Sequence, residues 1–160
     1  MGNLKLTSSA FSDGGEIPRE CGYKNGNEQP PLLISGIPDE AKSLALIMDD
    51  PDAMEAVGKV WVHWVVWHII PDENDSIIGT RHDKIEDLCM ECNYNEGMTD
   101  FGEVGYGGPA PPDKRHTYVF KLYALDSELD IPFKSTKADV EKAMEGHIIE
   151  QVTLTGTYAP

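Results

Sequence analysis

Turn-forming residues punctuate this chain from end to end: 15 glycines and 11 prolines are spread along 160 residues rather than pooled in a linker. Glycine weakens helices and strands through its backbone freedom, and proline removes a backbone donor. Between them only short runs survive, and most have strand character. Ser43 to Met48 (SLALIM) is almost continuously apolar, as suits a strand buried on both faces. Val60 to Ile70 is rich in Val, Ile and Trp, which favour strands. His116 to Leu125 alternates, with His116, Tyr118, Phe120 and Leu122 on one face. Val152 to Tyr158 alternates too, setting Val152, Leu154 and Tyr158 opposite Thr153, Thr155 and Thr157.

One segment predicts a helix. Ser135 or Thr136 can cap it, and Asp139 follows Thr136 by three positions, as a capping-box relative requires. Val140, Ala143, Met144 and then His147 or Ile148 recur at helical spacing, with Gly146 as terminator. Asp39 to Lys42 suits a short turn. Asp72 to Tyr106 is long, polar and weakly periodic, and loops of that length are often functional or locally mobile. The expectation is a mainly β fold with one late helix near residues 136–147. The length suits one domain, large enough to bury a core without a metal or a disulfide framework.

Twenty-eight acidic against 13 basic side chains give a net charge of −15. Such a field repels phosphate backbones and anionic membrane surfaces, so nucleic acid is excluded as an expected partner. No apolar run approaches the roughly 20 residues of a membrane helix. Met1 to Leu6 has no apolar signal core, so neither integral membrane association nor export is expected and a cytoplasmic location is. Three cysteines, Cys21, Cys89 and Cys92, argue against a secreted disulfide framework. Cys89 and Cys92 form a lone CxxC, which fits loop thiols, a disulfide, or part of a metal site with Cys21 or His82. Asn74-Asp75-Ser76 is a sequon by chance in a chain of this kind.

The residues able to carry chemistry fall into three groups. Asp50-Pro51-Asp52 follows the buried run directly; Pro51 forces the chain out of a ladder and leaves Asp50 at a strand end. Asp50 there serves either as a functional carboxylate or as the acceptor of an Asx turn, and the two roles are compatible. Trp61 and His63 share one strand face, as do His116 and Tyr118; if their strands are adjacent, four polar-aromatic groups converge. The competing reading makes Trp61 and Tyr118 core aromatics and His63 a satisfied core histidine. Gly107-Gly108-Pro109 with Pro111-Pro112 forms a stiff loop that permits close backbone approach.

There is no GxSxG elbow, no Walker pattern and no GxGxxG. His63, His116 and Asp50 match the inventory of a facial metal triad, but without the usual HxH or HxD spacing. Neither catalysis, nor a metal, nor a cofactor is therefore expected.

These motifs together resemble one family. Asp50-Pro51-Asp52-Ala53, Val62-His63-Trp64-Val65-Val66, and Gly105 to Pro112 continuing through His116 to Leu125 are similar to the phosphatidylethanolamine-binding proteins. The likeness is closest to the short bacterial and archaeal Raf kinase inhibitor-like branch. Leu6-Thr7-Ser8, Ile17-Pro18, Pro30-Pro31-Leu32, Asp100-Phe101-Gly102 and Gly156-Thr157-Tyr158 also fit, in order, over about residues 4–158, which would form a single domain. The resemblance implies a large antiparallel sheet packed with a smaller one, plus a C-terminal helix. It also implies a pocket for a small anion such as phosphate or phosphorylethanolamine, lined by Asp50, Trp61, His63, Gly108, His116 and Tyr118, with Asp52, Ala53 and Pro109 on its rim, and no turnover. Asp50 could raise a histidine pKa or receive a ligand's ammonium. By analogy, the output would run through a protein partner, as an inhibitor of a kinase or serine protease, and the bacterial members allow a homodimer.

Three departures bear on the pocket. Met54 stands where the family's DPDAP motif has its second proline. Thr117 stands where its HRY motif has arginine, which removes a positive charge. The segment Thr80 to Thr99 departs most.

Overall fold

The computed structural model describes residues 3–70, 76–78 and 94–160; of residues 76–78 it describes the backbone. Cys89, Cys92, His82 and the Asn74 sequon lie outside the described residues.

Nine strands form two sheets among these residues. Strands β1 (Lys5–Thr7), β3 (Leu32–Ser35) and β6 (Ser76–Ile78) make a small antiparallel sheet in the order β1-β3-β6. The large sheet has the order β2-β9-β8-β4-β5-β7, with β2 (Gly15–Glu16), β4 (Ser43–Asp50), β5 (Trp61–Ile69), β7 (Asn95–Glu96), β8 (His116–Leu125) and β9 (Ile148–Tyr158). All its pairings are antiparallel except β2 with β9. Among the described residues the α-helices are α1 (Ala53–Val57) and α2 (Lys137–Met144), with a 3-10 turn at Arg19–Cys21. The mainly β fold with a late helix is as the sequence predicts, and β8 matches its expected span residue for residue.

The strand at the centre explains the SLALIM run. Every residue of β4 is buried, because each face of the large sheet carries its own core. On one face Leu44, Leu46 and Met48 meet Trp64, Val66, Phe120 and Leu122, together with Leu6, Leu32 and Ile34 of the small sheet. On the other, Ala45 and Ile47 meet Val65, Trp67, Leu125 and the helical residues Val140 and Met144. Large side chains such as Trp64 and Trp67 are removed from water altogether, and each such burial contributes about 1.5–3 kcal/mol.

Helix α2 starts as its sequence dictates. Thr136 Oγ1 accepts from the Asp139 amide, and Asp139 returns a carboxylate to the Thr136 amide. It stops at Met144, one turn before the predicted end, because Gly146 adopts φ +81° and the chain turns into β9 at Ile148. That turn starts β9 four residues before the predicted Val152. The Asp39–Glu40 turn is present, closed by Ala41 N–H donating to the Pro38 carbonyl. Helix α1 has no counterpart in the sequence expectation; at five residues it is too short to leave a periodic signal. Among the described residues no helix is long and apolar enough to cross a membrane.

Candidate functional site

Strand β4 ends at Asp50, where Pro51 takes the chain out of the sheet. The Asx turn is present: Asp50 Oδ1 accepts from the Asp52 amide at 2.9 Å. Its other oxygen faces β8 and lies 2.6 Å from His116 Nδ1. Asp52 begins α1, and its carboxylate accepts from the Thr117 amide at 2.8 Å, which ties the entrance of α1 to the start of β8. Asp49, one residue earlier, points to the opposite face and binds Lys137 at 2.8 Å and Lys121 at 3.2 Å. Adjacent carboxylates thus serve opposite faces: one holds α2, and the other holds His116.

The strands of the two histidines are not adjacent, contrary to the simplest way of bringing them together: β4 lies between β5 and β8. Convergence is achieved by a bulge. Met48 pairs with Trp64 but Asp49 pairs with Val62, so His63 is an extra residue in β5. A bulge changes the phase of a strand. Val62 therefore joins the core beneath α2, while Trp61 comes opposite Asp50 and His63 reaches the rings of the pocket face. The His63 ring meets Tyr118 edge-on at 5.1 Å between centroids, and Tyr118 lies 6.3 Å from the His116 ring. Asp50, Trp61, His63, His116 and Tyr118 thus form one contiguous group around the end of β4.

Phe101, which sequence reasoning left out of the site, closes this group. It packs edge-on against both Trp61 (5.5 Å) and His63 (5.3 Å) and stacks on Tyr23 at 4.0 Å. The Asp100-Phe101-Gly102 triplet was its signal. Asp100 anchors the turn by accepting from the Val62 amide and from Lys59.

The glycine–proline loop is laced to β5. Gly107 N–H donates to the His63 carbonyl at 2.8 Å, and His63 Nδ1–H donates to the Gly107 carbonyl at 2.7 Å. Gly108 donates its amide to Asn27 Oδ1 at 2.7 Å, so that amide is already engaged within the loop. A Cβ there would lie 2.0 Å from the Cys21 carbonyl oxygen. Pro109 and Ala53 are buried at the rim.

The two histidines are driven in opposite directions. Burial pushes the His63 pKa down, against smaller opposing effects from the Gly107 carbonyl and Asp50, so its ring is neutral with Nδ1 protonated. Burial also works against a charge on His116, but Asp50 and Asp113 outweigh it and raise its pKa. Asp113 Oδ1 lies 2.8 Å from His116 Nε2, so both ring nitrogens face carboxylates and both must donate. The result is an imidazolium with no solvent exposure. Because its nitrogens are engaged this way and His63 Nδ1 serves a carbonyl, these side chains do not share a metal-binding point, and no such cluster occurs among the described residues.

One buried donor at the site, Trp61 Nε1–H, has no hydrogen-bond partner, whereas the Tyr118 hydroxyl has Asp50 as a hydrogen-bonding neighbour. Burial and the nearby Asp50 push the Tyr118 pKa far up, so the phenol keeps its proton. Lys59 sits over the Trp61 ring at 5.7 Å.

A pH dependence follows. A raised folded-state pKa means that the His116 ion pairs stabilise fully below the unfolded value of about 6.5, and that this stability is lost as pH rises through the folded pKa. The stability difference between the wild type and His116→Gln should therefore shrink between pH 6 and pH 9 in urea denaturation. A difference that grows with pH would contradict the assignment.

The fold and site define a known class. Residues 7–159 match the family model described as phosphatidylethanolamine-binding protein, and the chain belongs to that family. It is 43% identical over 155 residues to a UPF0098 protein of Methanothermobacter thermautotrophicus, covering 97% of this chain and 98% of the relative. A UPF0098 protein of Chlamydia muridarum is 40% identical over 157 residues, with 97% and 98% coverage. Among solved structures, a putative phosphatidylethanolamine-binding protein homolog from Chlamydia trachomatis superposes with TM-score 0.83 at 37% identity, covering 97% of this chain and 96% of that one. E. coli YbcL, described as a new member of the mammalian PEBP family, gives 0.82 at 29%, with 98% of each chain covered.

Proposed function

We propose that the chain binds a small anion of the phosphate or phosphorylethanolamine type at the end of β4, without chemical turnover. The observation that carries this reading is the partnerless buried donor Trp61 Nε1–H on the same face as the Tyr118 phenol and the His116 imidazolium. Leaving a buried donor unpaired costs about 1–3 kcal/mol, and a bound oxyanion would relieve that cost at Trp61. Charge-assisted bonds from an imidazolium are roughly twice as strong as neutral ones. A phenol that keeps its proton acts as a donor rather than as a nucleophile, which fits binding without reaction. The missing arginine at position 117 makes the buried imidazolium the principal cation of the site, with Lys59 on the rim.

Titration of the imidazole NMR signals with inorganic phosphate and with O-phosphorylethanolamine tests the reading. Selective shifts of His63 and His116 are expected at millimolar ligand, and should be lost in His116→Ala. Unmoved signals at those concentrations would reject it.

A further inference from the structure

Asp113 occupies the one position on His116 that an incoming anion needs. His116 commits Nδ1 to Asp50, so its outward contact is Nε2, and Nε2 already donates to Asp113 Oδ1 at 2.8 Å. The two carboxylates are held very differently. The Asp50 side chain is 4% exposed and locked by the Asx turn; that of Asp113 is 43% exposed, on the segment just before β8. Apart from His116, Asp113 accepts from the amide of its own neighbour Lys114. The two cations that follow are drawn away, Lys114 to Glu55 at 2.6 Å and Arg115 to Glu16 at 2.9 Å.

We propose that Asp113 is a built-in competitor for the anion site: its carboxylate takes the place of a ligand oxygen on His116, and binding requires it to swing into solvent. The inference rests on the anion-binding reading above and adds its regulation. Being exposed, Asp113 can leave without moving His116 or opening the core. Its departure is a fixed cost, so it weakens every anion by the same factor rather than choosing among them. It also gives the second N–H of the imidazolium a partner while the site is empty, and so avoids an unpaired buried donor.

The experiment compares the wild type with Asp113→Asn, using phosphate and O-phosphorylethanolamine at a pH at which the imidazole NMR signals show His116 charged in both proteins. The variant keeps the shape and loses the charge. A fall in the His116 pKa, read from the same NMR signals, is expected, together with Kd values about ten-fold lower for both ligands, the scale of one charged hydrogen bond. Equal affinity in the two proteins would overturn the competition while leaving the anion site standing. Weaker binding of O-phosphorylethanolamine with unchanged phosphate binding would overturn it as well, since Asp113 would then be a counter-ion for the ligand's ammonium. An unmoved His116 pKa would show that the contact does not exist in solution. No binding of either ligand to either protein would reject the anion reading and this inference together.

Discussion

Replacing Asp50 with alanine should cost about 3–5 kcal/mol of folding stability, the usual result of removing one partner from a buried ion pair. The carboxylate is buried and receives the His116 imidazole at 2.6 Å and the Asp52 amide at 2.9 Å. Without it, the imidazolium keeps only the exposed Asp113, and the turn that ends β4 loses its acceptor. Either the charge stays uncompensated, or the ring gives up its proton and with it a donor. Urea denaturation should show a lower midpoint at an unchanged slope. The double variant Asp50→Ala/His116→Ala should lose much less than the sum of the two single variants, since the second change removes the stranded charge. Strict additivity would mean that the pair is not coupled.

Gly108→Ala is the second large effect. Its Cβ would lie 2.0 Å from the Cys21 carbonyl oxygen and 2.9 Å from the Tyr23 amide nitrogen, both backbone atoms. A flexible side chain could give way; here a loop must move. That loop is held by the Gly108 amide on Asn27 and by the Pro109 carbonyl, which accepts from the Tyr23 amide at 2.9 Å. The expected loss is about 3 kcal/mol, the upper end for overpacking. Displacement should spread through Gly107 to His63, so chemical shifts of the His63 ring should move as well. A variant with wild-type stability and an unshifted His63 would refute this account of the loop.

Alternation made much of the fold legible. The double burial of β4, the face of β8 and the capping box of α2 are local patterns, each written in a handful of consecutive residues. The two-residue strands β2 and β7 and the five-residue α1 were not legible, because elements so short exist only through their partners. At the site, Asp50 was placed by Pro51 and the His116–Tyr118 pair by period two, whereas His63 joins Trp61 through the bulge. What escaped was long-range. No spacing rule reveals that β4 separates the histidine strands, or that Phe101 packs on residues some forty positions away. Asp113 escaped for a different reason. Its contact is local, but a carboxylate three residues before a strand looks like any solvated turn until the ring beside it proves to be buried.

The extra residue in β5 has a consequence for how such a site is acquired. Trp64 keeps Met48 as its partner, and Val62 and Trp61 keep Asp49 and Asp50, so residues 61–66 would pair in plain succession if His63 were absent. The imidazole is therefore spliced into a ladder whose pairs directly on either side of it are intact. A single residue outside the pairing supplies the ring, and its neighbours go on serving the two cores on either side of the sheet. The chemistry of the pocket and the packing of the barrier beneath it can drift at separate rates along one continuous stretch of chain.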